Sequence, residues 1–181
     1  DQRAAGKFMQ AQKTAMEQAA QEAADQGGIR LTILLSSMMV APALLPWHLE
    51  GHVLGFLAGL VRGIPGWHQQ VPDGAMSLTS PEDLAGCALQ ACETAQVVGR
   101  YFTLSDSWTW ARIYQEIAHY VPQSALPVTN GAAPKLPTVY DFSRRDSLGV
   151  AFTPIDEMLR RFFASVPTPS GETSPQSVSA E

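Results

Sequence analysis

The most apolar stretch of the chain, Leu31 to Trp47 (LTILLSSMMVAPALLPW), carries no charged residue and is interrupted by Pro42 and Pro46. A membrane-spanning helix needs about 20 consecutive apolar residues. A proline inside a helix also removes a backbone hydrogen bond and clashes with the preceding turn. The stretch is too short and too broken to cross a bilayer, so no membrane partner is expected. It fits a buried strand that runs into a loop. Ile29 to Leu35 hardly alternates between polar and apolar, which is the pattern of a parallel strand covered on both faces.

Helical segments lie on either side of this strand. Phe8 to Ala24 places Phe8, Ala11, Ala15 and Ala19 in one apolar row and Met9, Met16, Ala20 and Ala23 in a second, with Gly27-Gly28 as the stop. One row can rest on the chain's own sheet, and the other needs a further surface. Leu49 to Val61 reads as a second helix, in which Gly55, Gly59 and Gly63 leave a stripe suited to close backbone packing. Ile64 to Gly74 is a loop containing Trp67-His68-Gln69-Gln70, followed by a short strand at Met76 to Thr79. Ser80-Pro81-Glu82-Asp83 then has the cap, the proline and the acids of a helix start. Gly99 to Leu104 predicts a third strand, Ser107 or Thr109 caps a helix to Tyr120, and Pro154 opens a last helix over 155–164. Val121 to Val139 reads as loop, and Pro167 to Glu181 has too little apolar content to pack. Strands alternating with helices predict an α/β layered fold. With only three strands, the parallel sheet is expected to be partial.

Charge removes further classes. The 181 residues carry a net charge of −5, with three lysines and nine scattered arginines, so no basic stripe is available for a phosphate backbone and nucleic acid is not a partner. Cys87 and Cys92 lie about 140° apart around a helix at roughly 100° per residue, which predicts no disulfide and a cytoplasmic setting. The opening Asp-Gln-Arg-Ala-Ala-Gly-Lys is neither a signal peptide nor a translation start, and predicts a chain that begins inside a longer one.

The chemistry-bearing signals are few. No G-x-G-x-x-G or G-x-x-x-x-G-K-[ST] occurs, so the sequence offers no loop to cradle a phosphate. His48 and His52 have a spacing that can chelate zinc, but Glu50 is misplaced for a base and no third ligand accompanies them, so no metal site is read. Ser105-Asp106-Ser107 lacks a nucleophile elbow and reads as helix capping. Lys13 shares a helix face with Met9 and Glu17, four residues before and after it.

Five segments follow one another in order: MQAQKTAME from Met9, ILLSSMMVAP from Ile33, MSLTSPEDLA from Met76, GRYF from Gly99 and SRRDSLGV from Ser143. Over about residues 5 to 165 they resemble the C-terminal half of the extended short-chain dehydrogenase/reductase family, the NAD(P)-dependent epimerase/dehydratase and dihydroflavonol-reductase-like enzymes. In that family the first segment carries Tyr-x-x-x-Lys followed by Glu. Here Lys13 matches the lysine and Met9 occupies the tyrosine position. Ser36 stands where the family has a proline beside the nicotinamide, and Ala41 where it has a glycine.

The resemblance implies a partial Rossmann-type parallel sheet, the C-terminal half of that domain, with a small substrate-binding subdomain. Residues 1–46 would hold the lysine helix and core strand, 47–166 the remaining core interleaved with the subdomain, and 167–181 a disordered tail. It implies a hydride transfer with NAD or NADP at a carbonyl or hydroxyl carbon of a small molecule. Lys13 would be catalytic, and Lys13, Ser36, Met38 and Met39 would touch the cofactor. Trp47, Trp67, Tyr140 and Phe142 would line the substrate side. It also implies a homodimer through the helix carrying Lys13. An ammonium near a phenol favours phenolate and moves its pKa from about 10 toward neutrality, but Met9 has no ionisable proton. As this chain, little catalysis is expected. The alternative is a catalytically dead binding or interaction module of the same fold.

Overall fold

The computed structural model describes residues 2–129, 131, 133 and 135–167. The tail read from Pro167 onward lies, beyond that residue, outside the described residues. The chain divides into two compact units. The first comprises residues 1–36, 82–103 and 141–151, and the second comprises residues 37–81, 104–140 and 152–181.

In the first unit, α1 (Phe8–Gly27) ends where Gly28 turns left-handed at φ 60° and its N–H returns to the Ala24 carbonyl. The β1 strand (Thr32–Leu35) follows. It pairs in parallel with β4 (Gly99–Phe102), with Thr32 opposite Gly99 and Leu35 opposite Phe102. All four residues of β1 are only half-buried, which corrects the expectation of a strand covered on both faces. The α1 helix departs from expectation too, since Ala24 is its only buried residue. Its tie to the sheet is an ion pair of 2.8 Å between the Glu17 carboxylate and Arg100 of β4. The start of β4 is fixed by Gly99 at φ 81°, a conformation open to glycine, under the guanidinium of Arg144. Arg144 belongs to α5 (Ser143–Asp146) and lies 4.6 Å over the Tyr101 ring.

The second unit is built on β3 (Ala75–Thr79). One edge pairs in parallel with β2 (Met38–Met39) and the other antiparallel with β5 (Asp106–Thr109). Against this sheet pack α2 (His52–Val61), α4 (Trp110–Ile117) and α6 (Ile155–Ser165), in a core that contains Leu57, Leu60, Leu78, Ile113, Ile117 and Phe162. A 3₁₀ turn, Pro46–Glu50, precedes α2, and a Cβ at Gly55 would stand 3.0 Å from the Leu49 carbonyl oxygen. The glycine stripe serves close packing at that position. At Gly59 a Cβ would find an ordinary contact, and Gly63 turns left-handed past the helix end. The α3 helix (Pro81–Glu93) starts on the residues read as its start, and Thr109 caps α4 by accepting from the Arg112 N–H.

Two features of the expected fold class need correction. Among the described residues the strands number five in place of three and form two sheets, one parallel pair and one mixed triplet. Helices and strands also run from Phe8 to Ser165, so the architecture fills nearly the whole chain and is not confined to a C-terminal half. The reading missed β2 and β5 for physical reasons. Two residues are too few to show a period, and the Asp106-Ser107 start of β5 looks locally like a helix cap.

Leu78 is fully buried at the centre of the triplet, so Leu78→Ala leaves a cavity between the sheet and its helices. It is expected to destabilise by about 2–5 kcal/mol, measured as a lower midpoint in urea unfolding.

Candidate functional site

The lysine signalled by the sequence lies in the first unit. The spacing of four residues stacks Met9, Lys13 and Glu17 on one side of α1. Met9 and Lys13 are exposed, and the Glu17 carboxylate turns to Arg100 of the sheet. Lys13 is thus a cation on a helix that leads, through Gly27-Gly28, into a parallel strand. Ser36 lies exposed just past the carboxyl end of that strand. At the matching end of β4 is Thr103, whose backbone N–H donates to the Leu35 carbonyl at 3.0 Å. Its buried hydroxyl has no hydrogen-bond partner. The carboxyl ends of parallel strands are where open α/β sheets bind ligands. Met38 and Met39 belong to the second unit, where they form β2 and pair with Leu78 and Thr79.

Four aromatics read as one lining surface are held by different partners. Trp67 stacks on Phe56 at 4.1 Å between ring centres, a contact made possible by Gly66, where a Cβ would collide with the Phe56 ring. The Tyr140 hydroxyl meets that of Ser77 at 3.0 Å, Trp47 is exposed beside His48, and Phe142 lies in the first unit under the guanidinium of Arg145. His48 lies in the 3₁₀ turn and His52 packs against Trp67, and among the described residues no group of three or more His, Cys, Asp or Glu could hold a metal.

The sequence reading missed a second cluster. His68 Nδ1 is 2.8 Å from the Tyr114 hydroxyl, and the imidazole meets the Trp110 ring edge-on at 4.7 Å. Burial pushes the Tyr114 phenol up to about 12 and lowers the His68 imidazole below its ordinary 6.5. Both groups are therefore neutral near pH 7, and the pair pins the Ile64–Gly74 loop to α4. The signal that could have found it is the Trp67-His68-Gln69-Gln70 run, an aromatic and imidazole pair inside a Gly- and Pro-rich loop.

A dinucleotide would need a cradle for its diphosphate, made by backbone N–H groups where a strand turns into a helix. Among the described residues a strand leads directly into a helix at two places. At β3–α3 the first helical turn carries Glu82 and Asp83, which repel phosphate. At β5–α4 the Thr109 side chain occupies an N–H of the first turn. Neither fits a diphosphate, and the sequence holds no Gly-rich fingerprint.

The lowered pKa of His68 has a sign. The unfolded imidazole binds a proton near pH 6.5 and the folded one resists it, so folding stability is full above that pH and declines as pH falls below it. Unfolding midpoints at pH 5.0 and 7.5 should differ in the wild type, and His68→Asn should narrow the gap.

No family model matches the sequence, and no curated protein matches it. Solved structures do match. UDP-glucose 4-epimerase of Thermus thermophilus, in complex with NAD, is similar at 16% identity and a TM-score of 0.64, over 86% of this chain and 52% of that one. UDP-glucose 4-epimerase of Thermotoga maritima, with UDP-glucose, matches at 17% and 0.63, over 84% and 51%. Yeast methylglyoxal/isovaleraldehyde reductase, complexed with NADPH, matches at 15% and 0.64, over 83% and 51%. The chain spans about half the length of these proteins. The likeness runs through nearly all of its own 181 residues, which corrects the reading of a resemblance to a C-terminal half only. Across that length the chain shares the fold of these two epimerases and this reductase.

Proposed function

We propose that this protein is an oxidoreductase-like chain acting on the carbonyl or hydroxyl carbon of a small molecule, with NAD or NADP as the redox partner. One observation carries the reading. The helix that bears Lys13 leads into the parallel β1–β4 pair, in a fold shared with NAD- and NADP-complexed enzymes. Lys13 would stabilise negative charge on the reacting oxygen, and Ser36, at the carboxyl end of β1, would face the same ligand. The diphosphate contacts are not among the described residues. Affinity for the free dinucleotide is therefore expected to be weak. In a titration with NADPH followed by cofactor fluorescence, no saturable binding is expected at micromolar concentrations. Saturation there would overturn the account of the missing phosphate cradle.

A second reading, a catalytically dead binding module, is favoured by Met9, which supplies no proton at the tyrosine position. Met9→Tyr separates the two. General acid catalysis contributes about 10²–10⁴-fold, so the oxidoreductase reading expects reductase turnover with NADPH to rise at least about tenfold. Unchanged turnover favours the module.

Phe8, Met9 and Met16 are 69%, 63% and 64% exposed on α1. Exposed apolar side chains on two adjacent rows of a helix suit a second copy of the chain. Light scattering after size-exclusion chromatography should give a dimer, and Met16→Glu should shift it toward monomer.

A further inference from the structure

The second unit contains a cavity of about 210 Å³ beside α4. Its wall is a short parallel bridge in which the Val71 N–H donates to the Val128 carbonyl at 3.0 Å and the Val128 N–H to that of Gln69 at 3.1 Å. Val71, Ala111, Tyr114 and Leu126 make an apolar floor. The Tyr114 hydroxyl is engaged by His68, so the residue presents its ring. Gln115, Gln123 and Thr129 supply two amides and a hydroxyl as the polar lining, and among the described residues no charged side chain lines the space.

The unit's cations are placed elsewhere. Arg112 lies 3.6 Å over the Trp108 ring, Lys135 pairs with Asp73 at 3.1 Å, and Arg160 and Arg161 both hold Glu157. Arg62 lines a different cavity together with Glu50. A phosphate or carboxylate entering the α4 cavity would lose its hydration without gaining a cation, which is strongly unfavourable. A neutral molecule would exchange water for apolar contact and keep one hydrogen bond.

We infer that the α4 cavity is a binding site for a small uncharged carbonyl or hydroxyl compound with an apolar body, and that it excludes anionic ligands such as nucleoside diphosphates. This binding does not rest on the oxidoreductase reading above, which places the reacting oxygen at Lys13 in the other unit.

The test uses the whole chain without cofactor, with cyclohexanone as the neutral probe, cyclohexanecarboxylate as its anionic counterpart and UDP as the diphosphate. Saturation-transfer NMR is expected to show cyclohexanone binding, with methyl-shift changes at Val71 and Leu126. The carboxylate should bind at least tenfold more weakly and UDP should not compete. Ala111→Leu should reduce cyclohexanone affinity at least tenfold by filling the floor, and the wild-type methyl shifts locate the site without any variant. Absence of cyclohexanone binding, shifts elsewhere than this floor, equal affinity for the carboxylate, or competition by UDP would each overturn the assignment. NADPH-dependent turnover is measured separately. Binding without turnover leaves the cavity assignment in place, and Met9→Tyr decides the oxidoreductase reading.

Discussion

The backbone of β3 is the constraint on which the second unit depends. A strand paired on both edges has all its polar groups satisfied inside the protein, and its side chains can then be buried without penalty. The Thr79 carbonyl accepts from the Val40 N–H, the Thr79 hydroxyl from the Ser37 N–H, and the Leu78 carbonyl from the Ser105 N–H at 2.8 Å. Leu78 and Thr79 are consequently fully buried. The core helices pack against this surface, and both the loop held by His68 and the cavity beside α4 belong to the same unit.

The first unit rests on less. Its parallel pair has two strands, and the helix carrying Lys13 buries a single residue. The tie between Glu17 and Arg100 joins partly exposed groups, and such a pair contributes about 0.2–1 kcal/mol. Packing on this unit's own sheet therefore accounts for little of the stability of α1. Its apolar rows remain available to a further surface, in keeping with the proposed self-association.

Much of the architecture was legible in the sequence where local chemistry is strong. Gly27-Gly28, Ser80-Pro81 and Pro154 marked helix ends because cap geometry is set by residues adjacent in the chain. The strands β2 and β5 were not legible, since their pairing partners on β3 are distant in sequence and their own residues carry no period. The candidate site divides in the same way. Lys13 could be picked out by its spacing from Met9 and Glu17, whereas the partner of Glu17 could not. The His68–Tyr114 contact joins residues 46 apart, and no spacing rule reaches that far.

By itself the sequence determined an acidic α/β chain without a phosphate-cradling motif, because composition, helix caps and missing glycine fingerprints are local properties. The tertiary structure decided that the strands separate into two sheets, that the β1 residues remain half-exposed, and that no charged side chain among the described residues lines the α4 cavity. Each of these depends on which distant backbone edge or side chain comes within a few ångströms. Hydrogen bonds and burial act at that range, and neighbours in the chain do not specify it.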